Sequence, residues 1–329
     1  MDTKTNVGEW EPSFVKELNL EEIPPGTIRR FWLQLVSDGM GQPISIPVIV
    51  AKGIRSGPVL GLTAAVHGDE LNGIPIIQRM LKEIDPTRLK GTIVGIPVVN
   101  NPSYFRRKRR FIDGRDLNHI MPGKADGNVS EVYAYRFFQR VVRHFEYLLD
   151  LHTASAGRVN SYYIRADLKE PVTRKMAMLQ NAQIVVHNPP YDGTLRGAAE
   201  SHDIHAITLE VGNPNTFQKG YIRTGLTGIH NFLIHLGMTS GEIELGDNLP
   251  IICDRSYWMY TDRGGILTVL PQVAEVVEKD QVVARIHNVF GDLVKEYIAP
   301  EKGIVIGKSV SPINQSGGRI LHLGIIRQT

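Results

Sequence analysis

The chain has very little cysteine. Cys253 is the single cysteine among its 329 residues, so no disulfide can form within one chain. The opening residues, MDTKTNVGEWEPSF, have neither the basic start nor the apolar core of a signal peptide. We therefore expect the protein to work in a reducing, cytoplasmic setting.

Long apolar runs and a strong excess of one charge are missing as well. No apolar run approaches the roughly 20 residues that span a bilayer, and the formal net charge is only +3. We therefore expect neither a membrane partner nor a nucleic-acid partner. The basic run RRKRR at residues 106–110 is a local exception, but its place between candidate site residues favours a loop that faces substrate or forms ion pairs.

The rest of the sequence is that of an ordinary globular protein, with 42% hydrophobic and 22% charged residues. Apolar runs at residues 59–66, 92–99 and 147–151 predict buried strands, and helical spacing is found at residues 71–84, 130–145 and 217–236. These elements predict an α/β domain over residues 1–240. Short strands separated by Gly, Pro and Asn then predict a small antiparallel β domain over residues 241–329.

The stretch LGLTAAVHGDELNG, residues 60–73, contains the first candidate site. His67 and Glu70 follow a buried strand and precede a helix, and the carboxyl ends of strands are where open α/β sheets bind ligands. An imidazole and a carboxylate in this arrangement suit a catalytic zinc ion. A surface turn with ordinary polar residues is the alternative interpretation of the same spacing.

Two further strand ends carry polar residues, His152 after one strand and Glu210 after another. A hydrolytic zinc site needs three protein ligands and a general base. His67, Glu70 and His152 are candidates for the ligands and Glu210 for the base. Taken singly, each has a plainer role in capping the sheet or pairing with an arginine, but their agreement favours a site.

Five motifs occur here in a familiar order. They are HGDE at residues 67–70, the Asn101-Pro102 pair with its arginine cluster, DGRDLN with MPG at residues 113–123, DLHT at residues 150–153 and TLEVG at residues 208–212. In this the chain resembles the succinylglutamate desuccinylase/aspartoacylase family of zinc carboxypeptidase-like hydrolases. The resemblance implies a mixed sheet flanked by helices, one Zn²⁺ per chain held by His67, Glu70 and His152, and Glu210 as base and proton shuttle.

The resemblance also implies that an arginine stabilises the oxyanion and that Asn118 holds the substrate carboxylate. We favour Arg110 for the oxyanion role, followed by Arg109 and Arg107. The family pattern D-L-N-R reads D-L-N-H here, which places His119 where an arginine would grip a carboxylate. Arg115 or Arg196 is expected to supply the missing charge.

The function expected from this resemblance is a zinc-dependent deacylase that hydrolyses the amide of a small N-acyl amino acid or related amine. A metallocarboxypeptidase acting on short peptides and a non-catalytic binding protein on a decayed enzyme fold are the alternatives. The β domain resembles a biotinyl or lipoyl half-barrel without the carrier lysine, and we expect a lid or an oligomer contact there, compatible with a homo-oligomer. Its Tyr257, Trp258 and Tyr260 are expected in a core or an interface.

Overall fold

The computed structural model describes residues 12–191, 193–246 and 248–327. Within these ranges the strands are β1 (Ser13–Val15), β2 (Thr27–Ser37), β3 (Pro43–Lys52), β4 (Arg55–Ala64), β5 (Lys90–Ile96), β6 (Tyr147–His152), β7 (Arg158–Asn160), β8 (Tyr162–Ala166), β9 (Ile184–His187), β10 (His205–Val211), β11 (Ile251–Tyr260), β12 (Gly265–Val269), β13 (Val276–Val277), β14 (Val282–His287), β15 (Leu293–Ile298), β16 (Gly303–Ser309), β17 (Ile313–Asn314) and β18 (Arg319–Ile326). The helices are α1 (Gly73–Glu83), α2 (Asn101–Arg106), α3 (Val129–Arg140), α4 (Pro171–Met178), α5 (Leu195–Glu200) and α6 (Lys219–His235). Short 3₁₀ turns cover Leu117–His119 and Val142–His144.

One large mixed sheet carries most of these strands. Its order is β1-β2-β3-β5-β4-β6-β10-β8-β9-β11-β18-β16-β13, and β7 pairs with β16. The central strands β5, β4, β6 and β10 run parallel, whereas β8 is antiparallel to β10. The carboxyl ends of β4, β6 and β10 therefore meet at one edge, which is where the candidate site residues were predicted.

Helices cover both faces of the parallel strands. Buried side chains of α1, α4 and α6, such as Ile77, Met176 and Phe232, share one apolar cluster with the sheet. Phe137 of α3 and Leu195 of α5 belong to the cluster on the opposite face. Because both faces of these strands are buried, their sequences are continuous apolar runs rather than alternating apolar and polar residues.

The C-terminal strands form two layers. A second sheet with the order β15-β14-β12-β17 is antiparallel throughout, and its core residues Leu267 and Ile286 cluster with Val305 and Leu323 from the large sheet. The large sheet itself continues into this region, because β11 pairs in parallel with β9. The division of the chain at residue 240 stays a prediction.

The main elements of the sequence-based prediction are present, with specific differences. The helix expected at residues 130–145 ends at Arg140 and is followed by a 3₁₀ turn. The basic run at residues 106–110, expected in a loop, begins at the last residue of α2, and a 3₁₀ turn at Leu117–His119 follows it. The strands β8 and β11 and the helix α5 were not predicted. None of the described helices is long and apolar enough to cross a bilayer.

Candidate active site

His67 and Glu70 lie on the turn that connects β4 to α1. Ala65 at the start of this turn has a left-handed φ of 50°. The backbone and the side chain of Asn100 hold the turn by donating to two of its carbonyls at 2.9 and 3.0 Å. Glycine is required at position 68, because a Cβ at Gly68 would overlap the backbone of α2. The loop after β5 therefore fixes the turn that presents both candidate ligands.

His67, Glu70 and His152 form a buried group whose ligand atoms all lie within 4.8 Å of one another. The Nδ1 atoms of His67 and His152 each lie 2.9 Å from a different carboxylate oxygen of Glu70. The three side chains are 2%, 1% and 4% exposed. Two imidazoles and a carboxylate arranged in this way can bind a metal ion.

Each histidine of this triad is oriented by a second carboxylate. His67 Nε2 donates to Asp116 at 3.0 Å, and His152 Nε2 donates to Asp150 at 2.7 Å. Asp150 also accepts a hydrogen bond of 2.7 Å from the hydroxyl of Thr63. Because Nε2 is engaged in both rings, Nδ1 is the nitrogen that each histidine offers to a metal.

The charges of the triad stabilise one another. Burial, the largest effect, lowers the pKa of His152, but Asp150 and Glu70 together raise it well above the ordinary value. The pKa of His67 is raised in the same way against burial by Glu70 and Asp116. Burial raises the pKa of Glu70, yet the two histidines bring it well below its usual range. The carboxylate of Glu70 is therefore ionised at neutral pH.

Glu210 lies near the end of β10, opposite His152 in the register of the parallel pair β10 and β6. Its carboxylate accepts from Asn160 Nδ2 at 3.4 Å and from Arg165 Nε at 3.3 Å. Arg165 is in turn held by the hydroxyl of Tyr163, at 2.6 Å from Nη2. Glu210 is thus positioned by the neighbouring antiparallel strand β8 and lines the same cavity as the triad.

Arg109 is the arginine of the basic run that contacts the triad. Its Nη1 donates to Glu70 at 3.0 Å and to the hydroxyl of Ser155 at 2.7 Å, and its Nε donates to Asp116 at 2.9 Å. Arg110 lines the cavity but is exposed and donates to the carbonyl of Gly114 at 2.8 Å. The geometry therefore places Arg109, rather than the favoured Arg110, beside the candidate metal ligands.

Arg115 is not brought to the cavity. Its guanidinium pairs with Glu131 at 2.9 Å and is 48% exposed, and the residue is not part of the cavity wall. Glu131 belongs to the capping box of α3, so the pair stabilises a helix start. The structure therefore does not bring Arg115 together with the other candidate residues, and its role in binding substrate stays a prediction.

Asn118, His119 and Arg196 do line the cavity. The Asn118 side-chain oxygen accepts from Leu195 N at 2.7 Å, which leaves its amide N–H groups for a ligand. His119 is exposed. Arg196 is only 4% exposed and donates to the backbone and side-chain oxygens of Asn188 at 2.7 and 2.6 Å, and burial lowers its pKa to about 10. These contacts make Arg196 a support of the loop that follows β9.

The cavity has a volume of about 820 Å³, and the C-terminal strands form part of its wall. Trp258 of β11 and Arg319 of β18 line it, together with Arg158 of β7. Trp258 thus lies in the cavity wall, and its expected place in a core or an interface stays a prediction. Sequence reasoning missed Arg158 and Arg319 altogether.

Other contributors were missed although the sequence carried a signal for them. Asp150 and His152 are two residues apart on one strand and therefore share a face. The sequence alone could thus have predicted Asp150 as the partner of His152. The same alternation places Tyr163 and Arg165 together on β8, but only the pairing of β8 with β10 brings them to Glu210.

A family model for the succinylglutamate desuccinylase/aspartoacylase catalytic domain matches residues 56–236. The chain belongs to this family. The matched region contains the triad, the basic run and Glu210, so the resemblance expected from the five motifs is confirmed.

Two curated relatives of this desuccinylase/aspartoacylase family member are deacylases by name. The N-alpha-acetyl-L-2,4-diaminobutyric acid deacetylase of Halomonas elongata is 26% identical over 280 residues, which cover 80% of this chain and 81% of that enzyme. A succinylglutamate desuccinylase of Pseudomonas aeruginosa is 27% identical over 178 residues, which cover 49% of this chain and 53% of that enzyme. The match thus spans about half of the desuccinylase. At the level of the family, the expected deacylase class is confirmed.

Solved structures of the same family share the fold. A succinylglutamate desuccinylase/aspartoacylase from Rhodobacter sphaeroides superposes with a TM-score of 0.85 at 22% identity, over 96% of this chain and 100% of that chain. The product-bound ectoine utilization protein EutE of Ruegeria pomeroyi gives a TM-score of 0.83 at 23% identity, over 92% and 98% of the two chains. The expected α/β fold with a small antiparallel sheet is therefore confirmed.

Proposed function

We propose that this family member is a zinc-dependent deacylase that hydrolyses the amide bond of a small N-acyl amino acid. The observation that carries the proposal is the presence of a buried His67-Glu70-His152 triad and the carboxylate of Glu210 in one cavity. The relatives named above act, by their names, on N-acetyldiaminobutyrate and succinylglutamate. A small N-acyl amino acid is the substrate class that they have in common.

The triad fits zinc in its donor set. Catalytic zinc is commonly bound by three nitrogen or oxygen ligands, with one position open. His67 and His152 would bind it through Nδ1 and Glu70 through its carboxylate, one ion per chain. Bound there, zinc would lower the pKa of a water and polarise the acyl carbonyl.

Glu210 is the base of the proposed reaction. Its carboxylate would take a proton from the attacking water and deliver that proton to the leaving nitrogen, which then departs as a neutral amine. Asn160 and Arg165 hold the carboxylate in place through the hydrogen bonds described above.

Arg109 is the proposed partner of the oxyanion. Amide hydrolysis builds negative charge on the carbonyl oxygen, and a fixed cation beside it stabilises the transition state more than the ground state. Arg109 is held by Glu70 and Asp116, so its position costs no rearrangement. The amide of Asn118 would donate to the substrate, and Arg196 would hold the loop after β9 against it. A direct role for His119 in binding substrate, a cytoplasmic location and a homo-oligomer stay predictions.

A release assay tests the proposal. Zinc-loaded protein is incubated with N-acetyl and N-succinyl amino acids, and with dipeptides of matched size, and the free amino group is measured. We expect turnover of at least one N-acyl amino acid and none of the dipeptides. Turnover of the dipeptides alone would replace the deacylase by a metallocarboxypeptidase.

A further inference from the structure

Two arginines lie over the indole ring of Trp258, in the part of the cavity wall that the sequence did not predict. The guanidinium carbon of Arg158 lies 5.5 Å from the ring centre, and that of Arg319 lies 5.3 Å from it. Both distances are within the range of cation–π attraction. The three side chains come from β7, β18 and β11, so this cluster exists only in the folded protein.

The Trp258 ring packs against a buried histidine. It stacks on His322 with a centroid distance of 5.2 Å and an interplanar angle of 10°. His322 is 3% exposed, and its Nε2 lies 2.8 Å from the hydroxyl of Ser256. Burial, aided by the charge of Arg165, brings the pKa of His322 well below its ordinary value, so the imidazole adds no charge and acts as a flat packing surface.

Arg158 and Arg319 differ in their partners from Arg109 and Arg165, two other arginines of the cavity. Arg109 pairs with carboxylates of the chain, and Arg165 pairs with Glu210. Among the described residues, neither Arg158 nor Arg319 forms an ion pair with a carboxylate. Burial lowers the pKa of Arg158, and the nearby charge of Arg319 lowers it further. Two guanidinium groups in a shared cavity that lack a carboxylate partner among the described residues can attract an anion.

The charge of the whole cavity points in the same direction. The described wall of the cavity contains six arginines and three acidic side chains, Glu70, Asp116 and Glu210. The excess of positive charge favours an anionic substrate before any metal is counted. Guanidinium groups bind carboxylates through paired hydrogen bonds, which a histidine at position 119 cannot form.

We propose that Arg158 and Arg319, held over Trp258, form a carboxylate subsite that selects substrates reaching from the triad to the C-terminal strands. This inference rests on the proposed hydrolytic function, and it assigns to β7, β11 and β18 the recognition of the substrate. The carboxylate belongs either to the amino-acid part or to a dicarboxylic acyl group. The two sources share one chemistry and are separated by the test.

The test compares four substrates in wild type, Arg158→Gln and Arg319→Gln. These are the N-acetyl and N-succinyl forms of one amino acid and, for each, the derivative whose amino-acid carboxylate is replaced by a carboxamide. We expect KM for the substrate with the recognised carboxylate to rise about 10- to 100-fold in both variants, with little change in kcat. If the variants lose the preference for the acid over the carboxamide, the subsite binds the amino-acid carboxylate. If they lose the preference for succinyl over acetyl, the subsite binds the acyl carboxylate.

Matched variants serve as controls for this comparison. Arg255→Gln changes an arginine of β11 that is not in the cavity wall and pairs with Glu301 at 2.7 Å on the surface, and it should leave all four KM values unchanged. Arg158→Lys and Arg319→Lys keep the charge without the planar fork and should give smaller losses. If Arg158→Gln fails to fold, Arg319→Gln carries the test, because Arg319 is exposed. An equal effect on all four substrates, or none, would overturn the subsite.

A binding measurement separates failure of the subsite from failure of the hydrolytic function. Succinate and the free amino acid are titrated calorimetrically into the purified protein as isolated. Binding of either compound that is weakened about 10-fold or more in Arg319→Gln supports the subsite even in a protein without turnover. Binding that is the same in wild type and Arg319→Gln, or missing in both, contradicts it even if the protein hydrolyses N-acyl amino acids.

Discussion

Arg109 Nη1 lies 3.0 Å from the carboxylate of Glu70. A cation of the chain is therefore fixed beside the candidate metal ligands, where we propose that it stabilises the oxyanion. Its neighbour in the sequence, Arg110, instead donates to the carbonyl of Gly114. Two adjacent residues of one type thus have different partners, which gives a matched pair for mutagenesis.

Arg109→Gln is expected to lower kcat about 100- to 1,000-fold, as expected for a preorganised group that stabilises an oxyanion. The fold loss of kcat in Arg110→Gln should be at least about tenfold smaller than in Arg109→Gln, because the Arg110 guanidinium donates to a backbone carbonyl outside the triad. Steady-state kinetics on one N-acyl amino acid, with zinc content measured in parallel, compares the two variants. A larger loss in Arg110→Gln would return the oxyanion role to Arg110.

Asp150→Asn is expected to weaken zinc binding about 10- to 100-fold, because the hydrogen bond to Nε2 fixes the ring of His152 and raises its basicity. Competition with a chromogenic chelator measures the affinity. Asp254→Asn is the control, since Asp254 pairs with Arg327 and is 51% exposed. Equal affinity in Asp150→Asn and wild type would refute the orienting role of Asp150.

The pH dependence of stability should contain a contribution from Glu200. Burial raises the pKa of this carboxyl to about 7, so the folded protein binds its proton more tightly than the unfolded chain. The group therefore destabilises the fold above pH 7, and this cost disappears as the pH falls from about 7 toward the unfolded value of 4.5.

The predicted result is that Glu200→Gln raises the free energy of unfolding at pH 8 by up to about 3 kcal/mol, and that this gain shrinks toward pH 5. Urea unfolding at both pH values measures the difference. Glu278→Gln serves as the control, because Glu278 is 65% exposed and pairs with Lys302 on the surface. A gain of the same size at both pH values would argue against the raised pKa.

Phe137→Ala and Phe290→Ala should differ strongly in stability. Phe137 is fully buried between α3 and the sheet, whereas Phe290 is 87% exposed. Loss of the buried ring should cost about 3–5 kcal/mol, and loss of the exposed ring less than about 0.5 kcal/mol. Urea unfolding of both variants at one pH provides the comparison, and similar losses would contradict the assigned core.

The triad was predictable because its determinants are local. His67 and Glu70 share one turn, and the apolar runs before His152 and Glu210 identify the strands whose carboxyl ends they mark. Parallel strands bring such ends to a single edge whatever the details of packing. The order of the motifs therefore predicted both the residues of the triad and their neighbourhood.

The choice between Arg109 and Arg110 was not predictable, because neighbouring arginines look alike in a sequence. It is decided by backbone contacts. The residue at the end of α2, Arg107, has a left-handed φ of 51°, and Gly68 N donates to the carbonyl of Lys108 at 3.0 Å. These contacts anchor the basic run beside the turn of His67, so that Arg109 faces the triad.

The far wall of the cavity was beyond sequence reasoning for a different reason. Trp258 and Arg319 are distant in sequence from the motifs, and they reach the cavity because β11 extends the sheet beside β9 and β18 pairs with β11. The sequence of a strand does not show which other strand of the sheet it will pair with. Short strands with turns predicted a β region correctly, but not the cavity that it helps to enclose.

Zinc-dependent activity of Glu210→Gln tests the central claim most directly. Metal-free wild type and variant are titrated with Zn²⁺, and bound metal and amine release are measured in the same samples. We expect both proteins to bind one zinc per chain, and wild-type turnover to rise until that ratio is reached. The variant should stay at least about 100-fold less active. Full activity of the Glu210→Gln protein, or turnover in wild type without metal, would contradict the assignment of the triad and its base.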